Sequence, residues 1–290
     1  MEPLAYQISL SYLSHIQKQI IAREFSLSET VFIHDVDSSN DPDPHSRRVN
    51  IFMTFRELPC AGHPIIGTAN YLWAQGVGKL VTEAGPIPIH FSSEEGIVSA
   101  AIPHDTHLIS RVLGDVELTI RVGCLHSTPV IRSAELEAPL FSIVKGVIFA
   151  LIHLPCLDLL SQVSPGAFPY APRDVIDAGW TDGRASRGSG VRTVKLRTRM
   201  MEEKMEDPAT GSVACALTSC LALREYNETE IWFEVIQGVE LGRQSDIVVE
   251  GRVDVGEDGK SRLKKAQLGG KARQIMKGTV VVSPVLEGRL

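Results

Sequence analysis

Three places in the sequence carry residues suited to chemistry: Glu29 in Ser26-Leu27-Ser28-Glu29-Thr30, His63 in Ala61-Gly62-His63-Pro64, and Asp207 in Glu206-Asp207-Pro208-Ala209-Thr210-Gly211-Ser212. Asp207 stands just before an apolar helix expected from about Pro208 to Glu225. The unpaired N–H groups and positive dipole end of such a helix attract anions. Its Thr-Gly-Ser turn therefore offers amides and a hydroxyl to a substrate carboxylate. The plainer reading makes Asp207 an N-cap, a role Asp commonly fills. His63 opens a second apolar helix, expected from about Pro64 to Gln75. A single His is more often structural than catalytic, and no partner at metal-ligand spacing accompanies this one. Glu29 lies between a helix and a strand, where most glutamates face water. Enclosed in a cleft, its pKa is expected to rise toward neutrality, where a carboxyl group can both take and return a proton.

The elements that must position these residues are mostly strands. Leu10, Leu13, Ile16 and Ile20 recur at helical spacing up to Phe25 and predict a helix with one buried face. A strand is expected over Glu29–Asp35, and Val49, Ile51, Met53 and Phe55 alternate with polar neighbours as a half-buried strand does. Between them Ser38–Arg48 reads as a polar loop. Further strands are expected over Ile87–Phe91, Gly96–Ile102, Leu118–Val122, Ile143–Leu154, Val191–Met200, Glu230–Ile236, Ile247–Val255 and Gly278–Val282. So many strands among so few helices exclude a repeating βαβ plan. The two site helices are apolar nearly all round, and a helix without a polar face must be surrounded by protein. Their starts resemble each other, Gly62-His63-Pro64 leading to Gly67-Thr68-Ala69 and Asp207-Pro208 leading to Gly211-Ser212-Val213. This suggests a duplication, joined near Ile109–Val116, with each half curving a sheet around its own helix and the two starts facing a cleft.

Composition narrows the partners. The 290 residues are 43% hydrophobic and 22% charged, which is globular and long enough for one large domain or two ordinary ones. The net charge of −6 has no basic run behind it, which argues against nucleic acid. Met1-Glu2-Pro3-Leu4 lacks the basic start of a secretory leader. No apolar run approaches the ~18–20 residues that cross a bilayer, so the expectation is a cytoplasmic protein without a membrane partner. Five cysteines, Cys60, Cys124, Cys156, Cys215 and Cys220, contain no C-x-x-C pair and argue against both disulfides and a zinc site. His104 and His107 are assigned to an exposed loop, and the Gly183–Gly190 loop lacks the Gly-Lys-Ser/Thr ending of a phosphate loop.

Five segments together carry a resemblance: Ile21–Thr30, Ala61-Gly62-His63-Pro64 with Gly67-Thr68-Ala69, Val144-Lys145-Gly146, Glu206–Ser212, and Gln237-Gly238-Val239-Glu240-Leu241-Gly242-Arg243. The chain resembles the PhzF-type isomerases of phenazine biosynthesis, which share a fold with diaminopimelate epimerase. The resemblance implies an α+β protein of two pseudo-symmetric domains, expected at 1–113 and 114–290, the last strand being able to return to the first domain. Each would be a barrel-like, mostly antiparallel sheet wrapped around a central buried helix. It implies that Glu29 shuttles a proton while His63 and Asp207 orient the substrate and assist. Ser28, Gly62, Gly211 and Ser212 would hold a small carboxylate-bearing substrate. No cofactor is implied, and a homodimer is. Met1–Ser14 departs from the strand and Gly-Asn-Pro segment with which the family usually opens, and Gln244 replaces a proline common in relatives.

Two other functions compete. A racemase with paired cysteines would need thiols at the two helix starts, where Ala61 and Thr210 stand instead, with Cys60 and Cys215 nearby. A binding or assembly module could keep the fold without turnover, and the altered N-terminus is its main support.

Overall fold

The computed structural model describes residues 13–36, 43–115, 125–144, 147–164, 185–186, 192–202, 205–226, 228–257 and 261–282. The expected strand Leu118–Val122 and most of the Gly183–Gly190 loop lie outside the described residues. The chain divides into two compact units, Glu2–Ala101 with Lys271–Leu290, and Ile102–Gly270.

In the first unit, Ser14 and Gln17 form a capping box: the Gln17 N–H donates to Ser14 Oγ, and the Ser14 N–H donates to Gln17 Oε1. They start helix α1 (His15–Phe25), which a left-handed Ser26 at φ 52° ends. The buried face is not the expected one. Ile16 and Ile20 are 43% and 50% exposed, whereas Lys18, Ile21 and Ala22 are buried. Ile21 and Ala22 form a core cluster with Phe32 and Phe52, and Leu13, Phe25 and Val282 pack against it. Positions 18, 21, 22 and 25 share one face at the helical period, and the lysine among them disguises that face in the sequence.

Strand β1 (Thr30–Ile33) is wholly buried and pairs antiparallel with β2 (Ser46–Phe52), which also carries the short β3 (Glu57–Leu58). Helix α2 (Gly62–Trp73) follows and packs on β1 and on the later strands β5 (Gly85–Ser92) and β6 (Ile97–Ala101). β4 (Lys79–Thr82) runs parallel to β2 and antiparallel to β5, so this sheet is mixed. The expected strand Gly278–Val282 does not form, and Val281 is 95% exposed. A valine-rich run becomes a strand only where it packs and pairs.

The second unit contains β7 (His107–Val112), α3 (Pro129–Glu137), β8 (Pro139–Val144) and β9 (Val147–Ala150). These three strands form an antiparallel sheet, so the single strand expected over Ile143–Leu154 is instead divided between β8 and β9. Next come α4 (Leu157–Gln162), β10 (Ala185–Ser186), β11 (Arg192–Thr198), and a hairpin of β12 (Met200–Glu202) with β13 (Met205–Asp207). Helix α5 (Gly211–Arg224) then precedes β14 (Glu230–Gln237), β15 (Ser245–Val255) and β16 (Ser261–Gly270). β14 lies parallel to β11 and antiparallel to β15, which pairs with β16. β16 was not expected, because Lys264, Lys265 and Gln267 break its apolar pattern. α5 packs on β8, β14, β15 and β16. The protein is thus α+β, with mixed sheets and few helices, and no helix among the described residues is long and apolar enough to cross a membrane.

A polar cluster holds α1 to its sheet. Lys18 Nζ donates to Asn50 Oδ1 at 2.6 Å, which His34 Nε2 approaches to 2.5 Å. Asn50 Nδ2 donates to Glu57 Oε1 at 2.6 Å, and His15 Nε2 meets Glu57 Oε2 at 3.0 Å. Burial, partly offset by Glu57, keeps the Lys18 amine below its ordinary pKa of 10.5. The unfolded chain then binds this proton more tightly than the folded one. The resulting stability is full above the ordinary value and is lost as pH falls through the lowered one. Lys18→Met removes this titration together with the hydrogen bond to Asn50, so the rise in stability that the unaltered protein shows between pH 7 and 10.5 should flatten in the variant, read from urea midpoints.

Candidate active site

The left-handed turn at Ser26 redirects the chain from α1 into β1 and sets Ser28 and Glu29 at the mouth of that strand. α2 begins after Ala61, whose methyl group cannot cap, and Pro64 in the first turn has no N–H to offer. His63 sits in that turn. Its Nε2 lies 3.0 Å from Glu29 Oε2, with the two side chains only 10% and 14% exposed. The contact is close but not a well-aligned hydrogen bond: Glu29 Oε2 and the buried Ser28 Oγ both lack an aligned partner among the described residues. Ser28, Glu29, Gly62 and His63 thus lie within one unit, with the acid and the imidazole in contact.

The expected rise in the Glu29 pKa does not occur. Burial pushes the carboxyl group up, but the attraction of the His63 ring and the Ser28 hydroxyl outweigh that push, and the net value lies below 4.5. At neutral pH the group is a carboxylate and therefore a base.

The second candidate cluster is built from the β12–β13 hairpin. Arg199, 6% exposed, grips Glu206 with two hydrogen bonds of 2.9 and 2.6 Å and donates to the carbonyls of Leu160 and Val163. Asp207 is next in the chain. Its Oδ1 accepts from the Ala209 N–H at 3.1 Å and its Oδ2 from the Thr210 hydroxyl at 2.7 Å. This local turn, with Pro208 inside it, delays the helix. α5 starts at Gly211 rather than Pro208, and its N-cap is Thr210, not Asp207. Thr210 makes no side-chain cap; its hydroxyl instead faces Asp207, to which it donates. Gly211 is buried and Ser212 partly so.

Gln237 completes this cluster; the sequence reading placed it in a segment that carries the resemblance but gave it no part in the site. At the end of β14 and 1% exposed, it donates from Nε2 to Asp207 O at 2.7 Å and to Thr210 Oγ1 at 3.1 Å. The available signal was a glutamine continuing the buried phase of an alternating strand, directly before a glycine. Gly238 adopts φ +76°, and a Cβ there would meet Arg243 O at 2.5 Å and Pro208 O at 2.8 Å.

Cys215 is buried within α5, and burial pushes the Cys60 thiol up to about 11, away from the thiolate that racemase chemistry at a cysteine needs. Of the two histidines assigned to a loop, His107 instead opens β7. Among the described residues no cluster of His, Cys, Asp or Glu is arranged to hold a metal ion.

A buried carboxylate touching an imidazole is an arrangement suited to acid–base chemistry. A family model described as phenazine biosynthesis-like protein (PhzC-PhzF) matches residues 3–278, and the chain belongs to that family of isomerases. It is 30% identical to the trans-2,3-dihydro-3-hydroxyanthranilate isomerase of Pseudomonas chlororaphis, over 93% of this chain and 90% of that one. It is also 30% identical to the enzyme of the same name from Pseudomonas fluorescens, over 97% and 94% of the two chains. The fold is similar to a PhzF-family protein from Bacillus anthracis, with TM-score 0.68 and 18% identity over 92% and 89% of the chains.

Gly238→Ala tests how tightly the Asp207 turn is packed. The methyl group strikes backbone atoms and the residue keeps a positive φ, so a loss of ~2 kcal/mol or more is expected, read as a lower urea midpoint.

Proposed function

We propose that the chain is a proton-transfer isomerase that needs no cofactor, with Glu29 as the acid/base and a small, unsaturated carboxylate as substrate. The observation that carries this reading is the enclosed Glu29 carboxylate, 3.0 Å from His63. Glu29 takes a proton from a carbon made acidic by a neighbouring unsaturated system, and the electron pair passes into that system. The same proton then returns to another carbon, so bonding changes while composition does not. His63 supports the carboxylate and guides the transfer. In this proposal the units are pseudo-symmetric halves, each with its sheet around α2 or α5. The substrate lies in a cleft between them, oriented by Asp207, with its carboxylate on the amides and hydroxyl of Gly211 and Ser212 and on Ser28 and Gly62. The names of the Pseudomonas relatives support a cyclic carboxylate with ring unsaturation.

Glu29→Gln should lower turnover of trans-2,3-dihydro-3-hydroxyanthranilate by ~10²-fold or more, the usual scale for a general acid/base, and leave the circular dichroism spectrum intact. Full activity in that variant removes Glu29 from the role. Ligand binding with neither turnover nor deuterium uptake from solvent would instead identify a binding module.

The pH profile gives an independent check. Because the Glu29 pKa is lowered, the base form persists as pH falls toward 4.5, so the acid limb of kcat/KM should lie below that value. A limb near neutrality contradicts this assignment.

A further inference from the structure

We propose that Gln237 is a positioning residue that fixes the Asp207 carboxylate through the Thr210 hydroxyl. The proposal rests on the reading above that Asp207 meets the substrate. Gln237 reaches Asp207 directly only at its main-chain carbonyl, 2.7 Å from Nε2. It reaches the Asp207 side chain through Thr210. A hydroxyl has one hydrogen to give and two lone pairs to receive with. Gln237 Nε2 donates into Thr210 Oγ1 at 3.1 Å, and the hydroxyl passes its own hydrogen to Asp207 Oδ2 at 2.7 Å. A carboxylate only accepts, so both bonds run the same way, from Gln237 through Thr210 to Asp207. Gln237 Oε1 also accepts the Thr210 N–H at 3.4 Å, so one amide holds this residue at two points.

The anchor behind this relay is rigid. Gln237 pairs with Ser245 on one side and Thr198 on the other, so its side chain starts from a fixed place in the sheet. The next residue, Gly238, lies against Pro208, closing the distance between sheet and turn. With Gln237 unable to donate, the Thr210 hydroxyl keeps its bond to Asp207 Oδ2 but loses the bond that anchors it to the sheet, so Asp207 loses a fixed partner. Its Oδ1 bond to the Ala209 N–H then loosens as well. The Ala209 amide is therefore a reporter that Gln237 does not itself touch.

Gln237→Met matches the side chain in length and removes its donor. Amide hydrogen exchange at Ala209 should quicken about tenfold, as for the loss of one hydrogen bond. Thr210→Val should do the same, the double variant should be no faster than either single one, and Thr210→Ser should behave as the unaltered protein. Exchange at Val235 and Val249, in the sheet, should not change. With trans-2,3-dihydro-3-hydroxyanthranilate, Gln237→Met should lower kcat about tenfold with little change in KM, and should add nothing in an Asp207→Asn background. Unchanged Ala209 exchange in Gln237→Met, additive effects in the double variant, or quickened exchange throughout the sheet would each overturn the relay. If Gln237→Met does not fold, Thr210→Val against Thr210→Ser decides the same question. If Asp207→Asn turns over normally, the substrate role of Asp207 fails, and the exchange results still decide whether Gln237 sets its side chain.

Discussion

A helix with no polar face cannot be left in water, and this constraint organises both units. In α5, Val213, Ala214, Cys215, Ala216, Leu217 and Cys220 are all buried, together with Thr218 and Ser219. The hydroxyl of Thr218 must turn back to the Ala214 carbonyl, at 2.7 Å, to be satisfied there. Strands β14, β15 and β16 supply the cover on one side and β8 adds to it. α2 meets the same demand with Ile65, Ile66, Ala69 and Leu72 against β1, β5 and β6. Enclosure fixes where each helix begins, and the groups at those beginnings inherit a dry and rigid setting.

The two helix starts reach a similar state by different chemistry. At α2 the residue in the capping position is an alanine and the first turn holds a proline, so no side chain closes the helix end. At α5 a threonine occupies that position but its hydroxyl is drawn away to Asp207. Capping residues commonly stabilise a helix by about 1 kcal/mol. Forgoing that twice is consistent with helix ends kept for another partner. Two polar residues of low exposure, His63 and Gln237, are tolerated in otherwise apolar surroundings because each is tied to a polar group, His63 to Glu29 and Gln237 to Asp207 and Thr210.

The Glu29–His63 contact shows how burial and pairing compete. Removal from water alone raises a carboxyl pKa, and an adjacent imidazole opposes it. Here the opposition wins, so the enclosed acid is stored as its conjugate base. The sequence reading anticipated enclosure and, through the resemblance, a site shared with His63, but it weighed only burial for the pKa, and for that reason it had the direction of the shift reversed. Thirty-four positions separate Glu29 from His63, and no local pattern says that they meet.

By itself the sequence determined what depends on near neighbours. The strands expected over Glu230–Ile236 and Ile247–Val255 form as β14 and β15, the apolar runs from about Pro64 and Pro208 form buried helices, and the motifs around Glu29, His63 and Asp207 marked the family. Tertiary structure alone decided what depends on which surfaces meet. It chose Lys18 over Ile16 for the inner face of α1, divided the Ile143–Leu154 segment between two strands, left Gly278–Val282 without a strand partner, and bound Gln237 to the Asp207 turn. Periodicity and propensity act over a few residues along the chain. Hydrogen bonds and packing act between groups that the chain brings together only after it has folded.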